Sequence, residues 1–382
     1  MSAPTILLSA GEASSDMYAA RLAKVLRERT GAKIFGMGGP RMAEAGVELI
    51  ADYHEVAVVG IAEVLHKIPS VVSVQNRLAR EAVRRKADLA ILVDSPGTHL
   101  GVARRLKPWK IPVGYFIGPQ IWAWRAGRVR IVRRRVKKMV VIFPFEEKIY
   151  RDAGVPVEFV GHPLVDVVKP SLTREQFAAQ QGLDARKPIV TLLPGSRKNE
   201  IARNYPAIAQ ACANLARSYA AKGTEIQFVH VAAPGLGAEL FAPLTPPSLT
   251  IHRMEGGAYD ALAAADCAIV ASGTATIEAA LLGTPMVVVY RVSRISALLA
   301  KPLIRTKFFA MPNLIAGQRV VPELIQHHFT SEAVEMATRR LLNSPDARAE
   351  MRANLADVST RLGEGGAIER AADAFAEMLG RD

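Results

Sequence analysis

Short, nearly unbroken apolar runs recur along the chain, and stretches with helical spacing separate most of them. The first run is residues 5–9, followed by a pattern that puts Met17, Ala20, Leu22 and Leu26 on one apolar stripe. Residues 33–40 read as a second strand running into a glycine-rich turn, and further strands are predicted at 89–93, 112–117, 139–143 and 157–160. These runs lack the alternation of a half-exposed sheet, as expected of parallel strands covered on both faces. The rhythm is βαβ, which predicts a doubly wound sheet.

The rhythm then restarts. Residues 166–187 are more polar and carry Pro170 and Gly182, which suits a linker plus a helix, with Pro188 just beyond. Strands are predicted at 189–193, 226–231, 249–253, 267–271 and 286–290, and the chain from 331 onward reads as helical. The predicted fold is therefore α/β, with two Rossmann-like doubly wound domains facing a cleft and a helical C-terminus. The expected division is an N-terminal domain over 1–165, a C-terminal domain over 188–330 and terminal helices over 331–382. In open sheets of this kind ligands sit at the carboxyl ends of the strands, so the residues just after each strand are the ones to examine.

Composition narrows the class. The chain has 382 residues, which favours two domains, and 50% hydrophobic with 22% charged residues excludes a disordered or collagen-like chain. Cys212 and Cys267 cannot build a disulfide framework and neither lies in a CxxC, so a reducing cytoplasm is expected and no metal site is. No charge-free apolar run approaches the roughly 18 residues that span a bilayer. Charge changes the picture more: 49 Lys and Arg against 36 Asp and Glu give +13, which favours anionic partners.

In the second half, the strand at 189–193 runs into Pro194, Gly195, Ser196 and Arg197. Gly195 lets backbone approach a ligand closely and Arg197 can grip phosphate oxygens in a fork, although an ordinary turn with a solvated arginine has the same sequence. The strand at 267–271 runs into Ser272, Gly273, Thr274 and Ala275 at the start of a predicted helix, where free N–H groups favour a diphosphate. Glu278, about one turn into that helix, could accept hydrogen bonds from a ribose diol or merely complement the helix dipole.

In the first half, Glu12 and Asp16 follow the first strand; Asp16 reads equally as a helix cap, whereas Glu12 precedes any cap. The loop is not GxGxxG, so it gives little support to a dinucleotide site. Asp94 leaves a wholly apolar strand, which suits a general base with a raised pKa and also suits a turn aspartate before Ser95 and Pro96.

Trp122 and Trp124 stand beside eight basic residues between 125 and 138, Arg125 and Arg128 among them, with no acid in that span. Such a stretch fits nucleic acid, an anionic membrane surface or a solvated helix. Two further apolar-basic stretches, 56–73 (including Val59 and Leu65) and 298–309, tip the balance towards a lipid surface and away from RNA.

The ordered set of motifs is then specific. Ser9-Ala10-Gly11-Glu12-Ala13-Ser14-Ser15-Asp16, Val93-Asp94-Ser95-Pro96, Gln120-Ile121-Trp122-Ala123-Trp124-Arg125, Gly161-His162-Pro163, Leu193-Pro194-Gly195-Ser196-Arg197, Ser272-Gly273-Thr274-Ala275-Thr276-Ile277-Glu278 and Met311-Pro312-Asn313-Leu314 occur in this order. Together they resemble the lipid-A-disaccharide synthase family, bacterial glycosyltransferases of GT-B architecture, from residue 5 to about 326. Ser15 stands where the family usually has a second glycine; if that position is left-handed, a serine there costs roughly 1 kcal/mol.

The resemblance implies an inverting transfer from UDP-2,3-diacylglucosamine to 2,3-diacylglucosamine 1-phosphate, with the lipid acceptor handled by the N-terminal half and UDP by the C-terminal half. It implies no cofactor, a peripheral place on the inner face of the inner membrane, and acylated substrates that give the apolar-basic patches a purpose; a homodimer stays open. Asp94 is the first choice of base, with Glu12 and Asp16 as supporting or rival groups, and Asn313 is expected to line the nucleotide-sugar side of the cleft. A UDP-N-acetylglucosamine 2-epimerase-like enzyme is the rival reading, and an RNA-binding protein the non-enzymatic one.

Overall fold

A computed structural model of the chain describes residues 3–56, 61–118, 127, 129–293 and 306–380, with residues 61–66 as backbone only. The first part runs β1 (Thr5–Ala10), α1 (Ala13–Thr30), β2 (Lys33–Gly38), α2 (Pro40–Glu44), β3 (Glu48–Asp52), α3 (Ile61–Arg84), β4 (Leu89–Val93), α4 (Pro96–Leu106), β5 (Val113–Phe116), α5 (Val129–Arg135), β6 (Lys138–Val141), α6 (Pro144–Asp152) and β7 (Val157–Phe159). There follow α7 (Leu164–Val167), α8 (Arg174–Gln181), β8 (Ile189–Leu193), α9 (Lys198–Ala220), β9 (Gln227–Ala232), β10 (His252–Glu255), α10 (Ala258–Ala263), β11 (Cys267–Ala271), α11 (Ala275–Leu281), β12 (Met286–Tyr290), α12 (Met311–Ala316) and β13 (Glu323–Ile325). The chain ends in α13 (Ser331–Asn343), α14 (Pro345–Arg361) and α15 (Ala367–Glu377).

Two compact units result. The first holds the described residues up to Pro163 and those from Leu362 onward; the second holds those from Leu164 to Arg361. In the first unit a seven-stranded sheet has the order β3-β2-β1-β4-β5-β6-β7, and all its pairings are parallel. In the second, a six-stranded parallel sheet has the order β10-β9-β8-β11-β12-β13. Each chain path reverses once, between β1 and β4 and between β8 and β11. Ala10 therefore pairs with Val93, and Leu193 with Val270, so the loops leaving those strands lie side by side in each unit.

The central strands are buried along nearly their whole length, which is why their sequences are unbroken apolar runs. The edge strands β3 and β13 escaped the sequence reading because they begin with Glu48 and Glu323 and are only partly buried. Within the apolar stretch at 56–73, Val56 is buried and Val71 packs against the core. Helix α3 carries Val74, Leu78 and Ala82 into the core, while Ile68 and Val72 remain 49% and 39% exposed. The terminal helices divide: α13 and α14 pack in the second unit, and α15 returns to the first, against α1. There Phe375 meets Phe116 edge-to-face at 6.3 Å, and a Cβ on Gly114 of β5 would lie 2.5 Å from the Phe375 ring, so a glycine is needed for the helix to seat.

Candidate active site

In the first unit the strand-end loops at the β1/β4 reversal bring Glu12 and Asp94 together. Glu12 precedes α1: its N–H donates to Ser15 Oγ (3.0 Å), and the Ser15 hydroxyl donates back to the Glu12 carbonyl (2.8 Å). Ser15 lies inside α1 and is buried, and it is not among the residues with positive φ, so serine in the family's glycine position imposes no left-handed strain. Its hydroxyl instead secures the turn that presents Glu12.

Asp16 does not join them. It is 2% exposed, and its carboxylate accepts the N–H groups of Gly39 (2.7 Å), Arg41 (3.1 Å) and Met42 (3.3 Å). These are the free donors at the start of α2, so Asp16 caps that helix from a distance and is withdrawn from the role of base. The cap reading of the sequence was right in kind, although the helix it caps is the next one.

Asp94 follows β4 with φ 53° and Ser95 follows it with φ 45°, two consecutive non-glycine residues in the left-handed region. The Asp94 carbonyl accepts hydrogen bonds from Tyr115 Oη (2.5 Å) and His99 Nδ1 (2.7 Å). A carbonyl only accepts, so Nδ1 carries the hydrogen and Nε2 accepts a hydrogen bond from the Ser9 hydroxyl at 2.8 Å. His99 is wholly buried, and that burial pushes its pKa down to about 4, so the ring is neutral. The Asp94 carboxyl is pushed up to about 7, first by burial, then by the charge of Glu12, to which it is hydrogen-bonded.

Gly11 makes this juxtaposition sterically feasible. A Cβ there would lie 2.2 Å from Ser95 Oγ and 2.4 Å from Ser95 Cβ, so the two loops could not approach. Gly11→Ala is expected to cost about 1–3 kcal/mol of stability through overpacking and to displace Asp94. Thermal unfolding followed by circular dichroism checks it; an unchanged Tm would mean that the loops part freely.

In the second unit the β8/β11 reversal brings the Gly195–Arg197 loop beside the Ser272–Glu278 segment. Gly195 has φ 130°, and its Cβ would fall 2.9 Å from the Glu200 side chain. Glu200 accepts the Ser196 N–H (3.1 Å) and pairs with Arg197 Nη1 (2.9 Å). Gly273 has φ 151°, and Thr276 Oγ1 donates to its carbonyl (2.7 Å). Thr274 and Ala275 open α11, which carries Glu278 into a partly buried place where burial raises its pKa. Tyr259 Oη donates to it at 3.5 Å.

Asn313 departs from expectation. It is fully buried, and its amide donates to the Val321 carbonyl (2.9 Å) and Glu323 (2.8 Å) while accepting from the N–H groups of Val320 (2.7 Å) and Val321 (2.9 Å). Its hydrogen-bonding capacity is used within the fold, so it holds residues 309–313 against β13 and is withdrawn as a ligand contact. Glu323 takes part by accepting the N–H of Ala310 (2.8 Å), and Ser272 Oγ donates to the Phe309 carbonyl (2.9 Å), which keeps that segment beside the β11 loop.

Val59, Trp122, Trp124, Arg125 and Arg128 lie outside the described residues, as does the side chain of Leu65. Among the described residues no group of three or more His, Cys, Asp and Glu side chains could hold a metal ion, and no helix is long and apolar enough to cross a membrane. Sequence reasoning missed His99, Tyr115 and Glu323, whose contacts depend on how the chain folds, and Glu200, whose partners Ser196 and Arg197 are its near neighbours in sequence.

Comparison with known proteins adds the family. The model described as lipid-A-disaccharide synthetase matches residues 6–377. The lipid-A-disaccharide synthase of Solibacter usitatus is 45% identical over 98% of both chains, and that of Myxococcus xanthus 43% identical over 98% of both. Among solved structures, a UDP-GlcNAc 2-epimerase from Neisseria meningitidis bound to UDP-GlcNAc superposes with TM-score 0.67 at 15% identity, covering 98% of this chain and 100% of that one. MurG of Acinetobacter baumannii gives 0.62 at 15% identity, covering 98% and 99%. At such identities the two structures speak for the fold alone.

Proposed function

The chain belongs to the lipid-A-disaccharide synthase family, and from that premise we infer which residues of each unit serve its glycosyl transfer. The enzyme joins the sugar of UDP-2,3-diacylglucosamine to 2,3-diacylglucosamine 1-phosphate, giving a β-1,6-linked disaccharide 1-phosphate and UDP. In an inverting transfer the base stands on the face opposite the leaving group. Asp94 takes the proton of the acceptor 6-hydroxyl as that oxygen bonds to the donor C1. The C1–O bond to the diphosphate breaks, and its electron pair leaves on UDP. The observation that carries this assignment is the Asp94 carboxyl at the mouth of β4, its pKa raised to about 7 by burial and by Glu12, which matches a base to neutral pH.

The second unit takes the donor. Arg197 and the segment at 273–275, which opens α11, offer positive charge to the diphosphate, where negative charge grows during transfer, and Glu278 is assigned to the ribose. Purified protein given both substrates in the presence of EDTA is expected to form disaccharide and UDP in equal amounts. UDP release without acceptor would favour hydrolysis or the epimerase-like alternative, which needs no second sugar.

Acylated substrates also favour a position at a membrane surface. Ile68 and Val72 on α3 and Trp109 (63% exposed), flanked by Lys107 and Lys110, support contact with an anionic lipid face. Binding to vesicles containing anionic lipid should weaken as salt shortens the screening length from about 10 Å at 0.1 M to about 3 Å at 1 M. Absence of binding at low salt would return these side chains to ordinary surface.

A further inference from the structure

Beneath Asp94 lies a buried group of side chains that takes no part in the transfer as written. Asp94 and Ser95 occupy the left-handed region in succession, which L-residues other than glycine adopt only at a cost. Something must hold them there. The Asp94 carbonyl has two lone-pair directions, and Tyr115 Oη (2.5 Å) and His99 Nδ1 (2.7 Å) each supply a donor. The two donors come from different elements: His99 from the first turn of α4, and Tyr115 from β5, next to β4 in the sheet. Ser9, at the end of β1, donates to His99 Nε2 and so fixes which ring nitrogen carries the hydrogen. His99 also donates its own backbone N–H to the Ser95 carbonyl (3.0 Å), closing the turn from the other side.

We propose that His99 and Tyr115 are positioning residues for the transfer: by clamping the Asp94 carbonyl they hold its left-handed turn and so keep its carboxyl against Glu12. The proposal rests on the reading of Asp94 as the base. Neutral histidine suits the task because it donates to the carbonyl with one nitrogen and accepts from Ser9 with the other, which protonated histidine cannot do. The ionisable groups facing the Asp94 turn are Glu12 from the loop before α1, His99 from α4 and Tyr115 from β5; Asp16 is turned away to α2.

Losing a donor frees the carbonyl, relaxes the turn and lets the Asp94 carboxyl move from Glu12 towards water. A displacement of this kind lowers kcat by about 10²-fold for His99→Leu and about 10-fold for the milder Tyr115→Phe, with KM changing by less than about twofold. The acid limb of the pH–rate profile should fall by about one unit or more, because the carboxyl regains solvation and loses its like-charged neighbour. His99→Asn, whose Nδ2 can take the place of Nδ1, should recover most of the rate.

The test measures these three variants and Asp94→Asn, alone and combined, with thermal unfolding as a control on folding. Lowered kcat, a lowered acid limb, and no further loss when either variant is added to Asp94→Asn support the clamp. An acid limb fixed at its wild-type position, full additivity with Asp94→Asn, or unchanged kcat overturns it. If His99→Leu does not fold, Tyr115→Phe decides the matter by the same criteria. Wild-type turnover in Asp94→Asn overturns the base assignment itself and the clamp with it, whereas an inactive Asp94→Asn beside unmoved clamp variants overturns the clamp alone.

Discussion

Asp94→Asn should leave a protein that is nearly inactive at every pH and more heat-stable than the parent at pH 8. Removal of a general base costs 10²–10⁴-fold in turnover. In the parent, kcat/KM should rise about tenfold per unit with pH until it levels near 7, where Asp94 loses its proton. The stability effect has the opposite sign. The carboxyl is held near 7 in the folded protein and near 3.9 in the unfolded chain, so between those values the native state keeps a proton that the unfolded state has released. Its favourable contribution is complete below about pH 4 and is lost as pH rises through about 7; above that, the fold carries a buried charge beside Glu12. Asparagine is neutral throughout, so the gain in Tm should grow from about pH 4 to about pH 7 and then level off. Unfolding scans across this range check it, and an equal Tm difference at pH 5 and pH 8 would remove the buried charge from the account. The site thus gives up stability for a base tuned to neutral pH.

Much of this was legible in the sequence, for a definite reason. Strands β4, β8, β11 and β12 have the bounds their apolar runs predicted, because a parallel strand covered on both faces is apolar until it leaves the sheet. The residue that follows is therefore conspicuous, and Asp94 and Ser272 became candidates in that way. The roles of Asp16 and Asn313 were not legible. Both are polar residues beside a ligand motif, yet they are used up within the fold, Asp16 on the backbone at the start of α2 and Asn313 on the loop before β13 and on Glu323. His99 and Ser9 are 90 positions apart and meet because β4 pairs with β1; no local pattern carries that fact. Ser15 carried the opposite lesson, since its departure from the family's glycine suggested strain and its hydroxyl instead makes two hydrogen bonds with the Glu12 backbone.

Arg197→Ala should separate catalysis from stability in the other unit. Its side chain is 57% exposed and pairs with Glu200 at 2.9 Å on the first turn of α9. An exposed pair of this kind contributes about 0–1 kcal/mol, so the variant should melt close to the parent. The rate should fall much further, by about 10²–10³-fold in kcat, the cost of removing one positive group aimed at developing charge. The fall belongs in kcat more than in KM, because the bridging oxygen gains its charge only as the C1–O bond breaks. UDP, which carries that charge in full, should also lose more affinity than the sugar-linked donor. Arg197→Lys restores the charge but not the planar fork, so it should recover part of the rate and less of the UDP binding. Steady-state kinetics with calorimetric titration of UDP measure all three. A variant that loses kcat and several degrees of Tm together would make Arg197 a support of the loop, and wild-type kcat with weakened UDP binding would confine it to holding the product.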